Sequence, residues 1–126
     1  MDFLLYIVIA VILFFTLKKM LLTRSIKHYS PVDASQKLKR ENNTVLLDVR
    51  TSLERKKKSI KGSFHIPLQE INSRASELKK FKDKEIICYC RTGSRSLSAA
   101  SKLKKHGFSV ANLKGGILQW NAVGLR

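Results

Sequence analysis

The run Phe3 to Leu17 (FLLYIVIAVILFFTL) contains one polar residue, Thr16, and no charged one. Lys18 and Lys19 interrupt it, and Met20-Leu21-Leu22 resumes it. A helix over residues 3–22 is about 30 Å long, the thickness of a bilayer's hydrocarbon core. The two lysines lie near its end, where long side chains snorkel to the headgroups. A helix packed on a soluble core needs a polar face, and this one has none. A cleaved secretion signal needs a basic start and a small-x-small cleavage site, whereas Met1-Asp2 precedes the run and no such site follows it. The segment reads as a retained anchor. It divides the chain into a transmembrane helix over 3–22, a basic juxtamembrane linker over 23–27 and a domain over 28–126 that must carry its own core.

Charge sets the orientation. The 126 residues include 25 Lys+Arg against 9 Asp+Glu, a net charge of +16, and every Lys and Arg lies at position 18 or later. The positive-inside rule then predicts the N-terminus outside and the C-terminal domain in the cytoplasm. That compartment is reducing, so Cys88 and Cys90 are expected to be thiols. Two cysteines are too few for a disulfide framework or a four-cysteine zinc site. His28, His65 and His106 are scattered without ligand spacing, so no metal site is expected, and no cofactor is implied. The charge invites a nucleic-acid partner, but no aromatic-interleaved motif accompanies it. Arg55-Lys56-Lys57-Lys58 with Lys61 reads as a solvated face. Beside a membrane it would meet anionic headgroups, at about 1 kcal/mol per cation.

Within 28–126, strand and helix signals alternate. Ser30-Pro31-Val32-Asp33 has a Ser cap, Pro at the first helical position and an acid at the third, and predicts a helix ending near Glu41-Asn42-Asn43. Val45 to Val49 and Glu85 to Tyr89 are short apolar runs bounded by turn residues, and Phe108 to Leu113 is a third. Leu97, Ala100 and Leu103 recur at helical spacing before His106-Gly107. Near-continuous apolar strands separated by helices predict an α/β fold, a mostly parallel sheet covered on both faces. Phe108 and Trp120 read as core.

The segment most informative for chemistry is Glu85 to Ala100 (EIICYCRTGSRSLSAA), where a strand runs directly into Cys90-Arg91-Thr92-Gly93-Ser94-Arg95 and then a helix. Such a loop turns several backbone N–H groups toward one point at the helix N-terminus. Gly93 permits the tight backbone, and Arg91 and Arg95 add positive charge. A sulfur at that point is stabilised as thiolate, and helix-terminal cysteines near cations fall from about 8.5 to as low as about 3.5. Cys90 is the candidate nucleophile. Cys88, two positions earlier on the strand, reads as core.

Cys90-x-x-Gly93-x-Arg95 after a strand resembles the active loop of the rhodanese family of sulfurtransferases. Leu47-Asp48-Val49-Arg50 is similar to that family's Asp-Val-Arg segment, and Ile60-x-Gly62 with Ile66-Pro67 to its next signature. Leu113-Lys114-Gly115-Gly116 followed by Trp120 is similar to its Gly-Gly-x-x-x-Trp element. The resemblance implies a five-stranded parallel sheet flanked by helices, and a persulfide on Cys90 taken from a donor such as thiosulfate or a persulfide and passed to cyanide or a thiol. It implies that Arg91, Thr92, Gly93, Ser94 and Arg95 cradle the bound sulfur, and that Asp48 and Arg50 brace the loop. The partners it implies are small-molecule or protein sulfur donors and acceptors.

The sequence departs from the family where Lys58-Ser59 replaces Gly-His, where His65 replaces Asn before Ile-Pro, and where basic residues replace an acidic-aromatic stretch after Asp-Val-Arg. These changes bear on substrate preference, not on the nucleophile. Two other functions fit the same loop. A non-catalytic binding module at the membrane would not need Cys90, which is present. A phosphatase or arsenate-reducing enzyme would use a loop one residue longer than the five positions from Cys90 to Arg95, giving a wider ring for a tetrahedral anion.

Overall fold

A computed structural model of the chain describes residues 1–40 and 42–126, the side chains of residues 22–24 excepted. The expected helix end at Glu41 and the juxtamembrane charge of Arg24 therefore lie outside the described residues. Helix α1 (Asp2–Arg24) contains the apolar run. Over Asp2–Leu21 its mean hydropathy is 2.2 and none of it is buried, so it is long and apolar enough to cross a membrane.

The remainder alternates strands and helices: β1 (Lys27–Tyr29), α2 (Pro31–Arg40), β2 (Thr44–Asp48), α3 (Ser52–Lys57), β3 (Phe64–His65), α4 (Ile71–Arg74), β4 (Glu85–Tyr89), α5 (Ser94–Lys105), β5 (Ser109–Leu113) and α6 (Gly116–Ala122). Two 3₁₀ segments, Leu68–Glu70 and Ala75–Phe81, flank α4. The five strands form one parallel sheet in the order β1-β5-β4-β2-β3. This is the expected α/β architecture, and the three apolar runs became its three inner strands. They are buried because helices cover both faces, as parallel sheets require.

The two edge strands were not legible in the sequence. β1 pairs only with β5, and β3 is two residues long. Ile26, just before β1, is buried, so the structured domain takes in the last part of the stretch read as linker. The start of α2 is as expected: the Asp33 amide donates to Ser30 Oγ at 3.1 Å. The core has two halves. One face of the sheet packs Ile86, Cys88, Ala99, Leu103 and Phe108 with Ile71, Leu78 and Phe81. The other packs Ile87, Tyr89 and Leu113 with Ala34, Ile117 and Trp120. Lysines cap aromatic edges at the rims, Lys82 over Phe108 at 4.1 Å and Lys80 over both Phe64 and Phe81. Their hydrocarbon stems cover apolar surface while the ammonium groups stay wet, which lets so basic a chain close a core.

Candidate active site

The carboxyl end of β4 lies beside that of β2, in the middle of the sheet. Ligands of open parallel sheets bind at such carboxyl ends, where the chain reverses its direction of travel across the sheet. Val49 donates its amide to Tyr89 O at 3.0 Å, holding the residues after β2 against the start of the β4–α5 loop.

Cys90 is the first residue of that loop and is 1% exposed. Gly93 caps α5 with φ of 116°, a left-handed backbone that turns its N–H back toward the sulfur. The Gly93 amide lies 3.1 Å from Cys90 Sγ, and the Ser96 hydroxyl lies 3.4 Å from it. Burial by itself pushes the thiol up. The Ser96 hydroxyl and the backbone N–H groups of Ser96, Gly93 and Thr92 outweigh it, so the Cys90 pKa lies below its ordinary value. These donors thus favour the thiolate. Cys88, on β4 and in the same core cluster, has no such donors among the described residues, and burial pushes it up to about 12.

Arg91 is exposed at the loop. Arg95 is paired with Glu54, its two terminal nitrogens donating to the two carboxylate oxygens at 2.7 and 2.9 Å, and its charge still acts on Cys90. The donors that reach the sulfur itself are main-chain N–H groups and one hydroxyl. Glu54 in turn is held down to about 2, first by Arg95. It also completes a capping box with Thr51 at the start of α3, so one carboxylate fixes both a helix end and the loop.

Asp48 and Arg50 brace the same corner, as expected. Arg50 Nε and Nη2 donate to the two oxygens of Asp48 at 3.0 and 2.9 Å, and the Arg50 amide adds a third bond at 2.9 Å. Arg50 Nη2 also donates to the Lys58 carbonyl at 2.6 Å, and the Tyr89 hydroxyl to Asp48 at 3.1 Å. Burial opposes ionisation of Asp48, but the Arg50 guanidinium and amide and the Tyr89 hydroxyl hold its pKa below the usual value. Two departures from the family pattern belong to this network. His65 Nε2 donates to the Arg50 carbonyl at 2.7 Å. Arg55 is not wholly a solvated cation: Nη1 reaches Asp48 at 3.3 Å and Nη2 the Ser63 carbonyl at 2.7 Å. Lys56, Lys57 and Lys58 are exposed, as the sequence suggested.

The Gly-Gly element closes the site from below. The Ile117 and Leu118 amides, at the start of α6, donate to the Cys90 and Arg91 carbonyls at 2.9 and 3.2 Å. A Cβ on Gly116 would overlap those same carbonyls. Sequence reasoning missed four contributors: Glu54, Ser96, Asn112 and His28. The Ser96 hydroxyl donates to Asn112 Oδ1 at 2.5 Å, and Asn112 Nδ2 lies 3.2 Å from His28 Nδ1. Ser96 alone carried a local signal, as a small polar residue on the apolar side of α5.

A rhodanese-like domain model matches residues 30–123. A sulfurtransferase of Allochromatium vinosum is 37% identical over 92 residues, which are 72% of this chain and 84% of that one. A crystal structure of a rhodanese-related protein from Thermoplasma volcanium superimposes with a TM-score of 0.72 at 28% identity, over 79% of this chain and 95% of that one. A Rhodopseudomonas palustris protein described as a possible tyrosine phosphatase gives 0.76 at 25% identity, over 86% and 89%. With the loop, the Asp-Arg brace and the Gly-Gly contact all in place, the chain belongs to the rhodanese-like family.

Proposed function

We propose that this chain is a membrane-anchored sulfurtransferase that carries a sulfane sulfur as a persulfide on Cys90. The observation that carries the reading is the Cys90 sulfur lying under the loop's N–H groups, with the Gly93 amide 3.1 Å away. The Cys90 thiolate attacks the outer sulfur of thiosulfate. The sulfur–sulfur bond of the donor breaks, and sulfite leaves with the electron pair. A thiolate or cyanide acceptor then attacks the terminal sulfur of Cys90, and the Cys90 thiolate leaves. The two half-reactions share one covalent intermediate, so the kinetics are ping-pong. A persulfide donor enters by the same displacement. Burial of Cys90 shields the intermediate from bulk water and oxidants.

Anchoring rests on α1, whose residues Asp2–Leu21 have a mean hydropathy of 2.2 and are not buried. We read it as a single-pass span with the N-terminus outside, because all 25 Lys and Arg lie from Lys18 onward. Of the nine acids, Asp48, Glu54, Glu70, Glu77 and Glu85 are held in ion pairs. The surface that remains is strongly cationic and suits an anionic leaflet.

Mass spectrometry after incubation with thiosulfate or a low-molecular-weight persulfide tests the chemistry. Cys90 should gain about 32 Da, one sulfur atom, released by cyanide and absent in Cys90→Ser. The likeness to a possible tyrosine phosphatase favours one rival, an oxyanion hydrolase on the same loop. Efficient hydrolysis of an aryl phosphate with no sulfur accepted would establish that rival. Unchanged cellular function of Cys90→Ser would establish a binding module.

A further inference from the structure

We propose that Ser96 and Asn112 are positioning residues that decide the protonation of Cys90, through a chain of hydrogen bonds that ends at His28. The inference rests on the reading of Cys90 as nucleophile and assigns what sets its charge.

Cys90 Sγ, Ser96 Oγ, the Asn112 amide and His28 Nδ1 are linked in series at 3.4, 2.5 and 3.2 Å. Ser96 is 0% and Asn112 4% exposed, so water does not replace either partner. A serine hydroxyl has one proton, and here it has two claimants. When Cys90 is a thiol, its S–H donates to Ser96 Oγ, Ser96 donates to Asn112 Oδ1, and Asn112 Nδ2 donates to a neutral His28 protonated at Nε2. A thiolate can only accept, so in that state the Ser96 proton must point to sulfur. The buried Asn112 Oδ1 then loses its donor.

The thiol proton leaves to water. No net charge enters the chain other than on sulfur. Two consequences have opposite sign. The Ser96 hydroxyl favours thiolate, and the Asn112 carbonyl oxygen competes for its proton and favours thiol.

The full-length protein in detergent micelles provides the test. The ultraviolet absorbance of the thiolate is titrated, each variant against the same variant carrying Cys90→Ser, so that Tyr, Trp and Cys88 cancel. The charged or titratable groups that act on Cys90 are Arg95, itself paired with Glu54 of α3, and Cys88 on β4; Arg91 lies next to it on the loop, and Asp48 and Arg50 follow at the end of β2. All remain in every variant. Ser96→Ala should raise the midpoint by about one pH unit or more, the worth of a hydrogen bond to a charged group. Asn112→Leu removes the competing acceptor and should lower it. Asn112→Ala removes the same acceptor, should likewise lower it, and decides the matter if the leucine variant does not fold. An unmoved midpoint in Ser96→Ala, or one at or above the parent in a folded Asn112→Leu, overturns the proposal. Sulfur transfer is not part of the readout. Shifted midpoints without persulfide formation would leave the chain of bonds standing and remove the proposed function, and the converse result would do the reverse.

Discussion

Cys88, on β4, and Cys90, just beyond its end, belong to one core cluster and differ in what surrounds each sulfur. Cys88 has hydrocarbon and sits at about 12. Cys90 has a hydroxyl and three amides, which overcome the same burial. Reaction with iodoacetamide in the folded state at neutral pH should therefore modify Cys90 and leave Cys88 intact, read by peptide mass mapping. Asp48 shows the same dependence on partners. It is 0% exposed and is held ionised by Arg50, itself 4% exposed. Asp48→Asn leaves a buried guanidinium without its counter-ion and should cost about 3 kcal/mol or more in denaturant unfolding. Asp48's folded pKa lies below its usual 3.8, so the pair's stabilisation is full above that value and is lost as the pH falls below it.

At the scale of elements, the site is a junction of β4, α3, α5 and α6, each held by a few bonds. α6 presses its first amides on the Cys90 and Arg91 carbonyls, and Gly116 (φ 61°) makes that approach possible. Gly116→Ala must push helix and loop apart. A loss of about 2 kcal/mol or more is expected from thermal unfolding, with a raised Cys90 midpoint because the loop opens. On the opposite side, Glu54 ties α3 to Arg95. Its carboxylate lies at about 2 in the fold against an ordinary 4.5, so the clamp contributes in full above about 4.5 and fades as the pH falls toward 2. Hydrogen exchange at the α3 amides should accelerate relative to β4 across that window, and Glu54→Gln should remove the pH dependence.

At the scale of the molecule, α1 ends at Arg24 and the core of the domain begins at Ile26. Ile26 is in the core and Lys27 pairs with Ala111, so a cut at Lys27 would remove part of the fold. A chain beginning at Ser25 should be folded and soluble without detergent, with an unfolding midpoint close to that of the full protein. A chain beginning at Ser30 lacks β1, bares the edge of β5 and should unfold at lower denaturant. The proposed topology predicts that a membrane-impermeant thiol reagent leaves Cys90 unlabelled in intact cells and labels it after lysis.

The three inner strands were legible because burial on both faces makes them short apolar runs, and α5 because Leu97, Ala100 and Leu103 repeat at its own period. Ala75, Leu78 and Phe81, spaced by three, carry the period of the 3₁₀ turn they form, a weaker signal over seven residues. β1 and β3 carry no such mark, because an edge strand of two or three half-exposed residues is made by its neighbour. Local order thus fixed the span, the strand–loop–helix and a cysteine among amides, since each depends on residues close in sequence. The tertiary structure alone decided that Arg95 pairs with Glu54, and that the Ser96 hydroxyl donates to Asn112. Those partners lie 41 and 16 residues apart, and hydrogen-bond direction exists only once folding has brought them together.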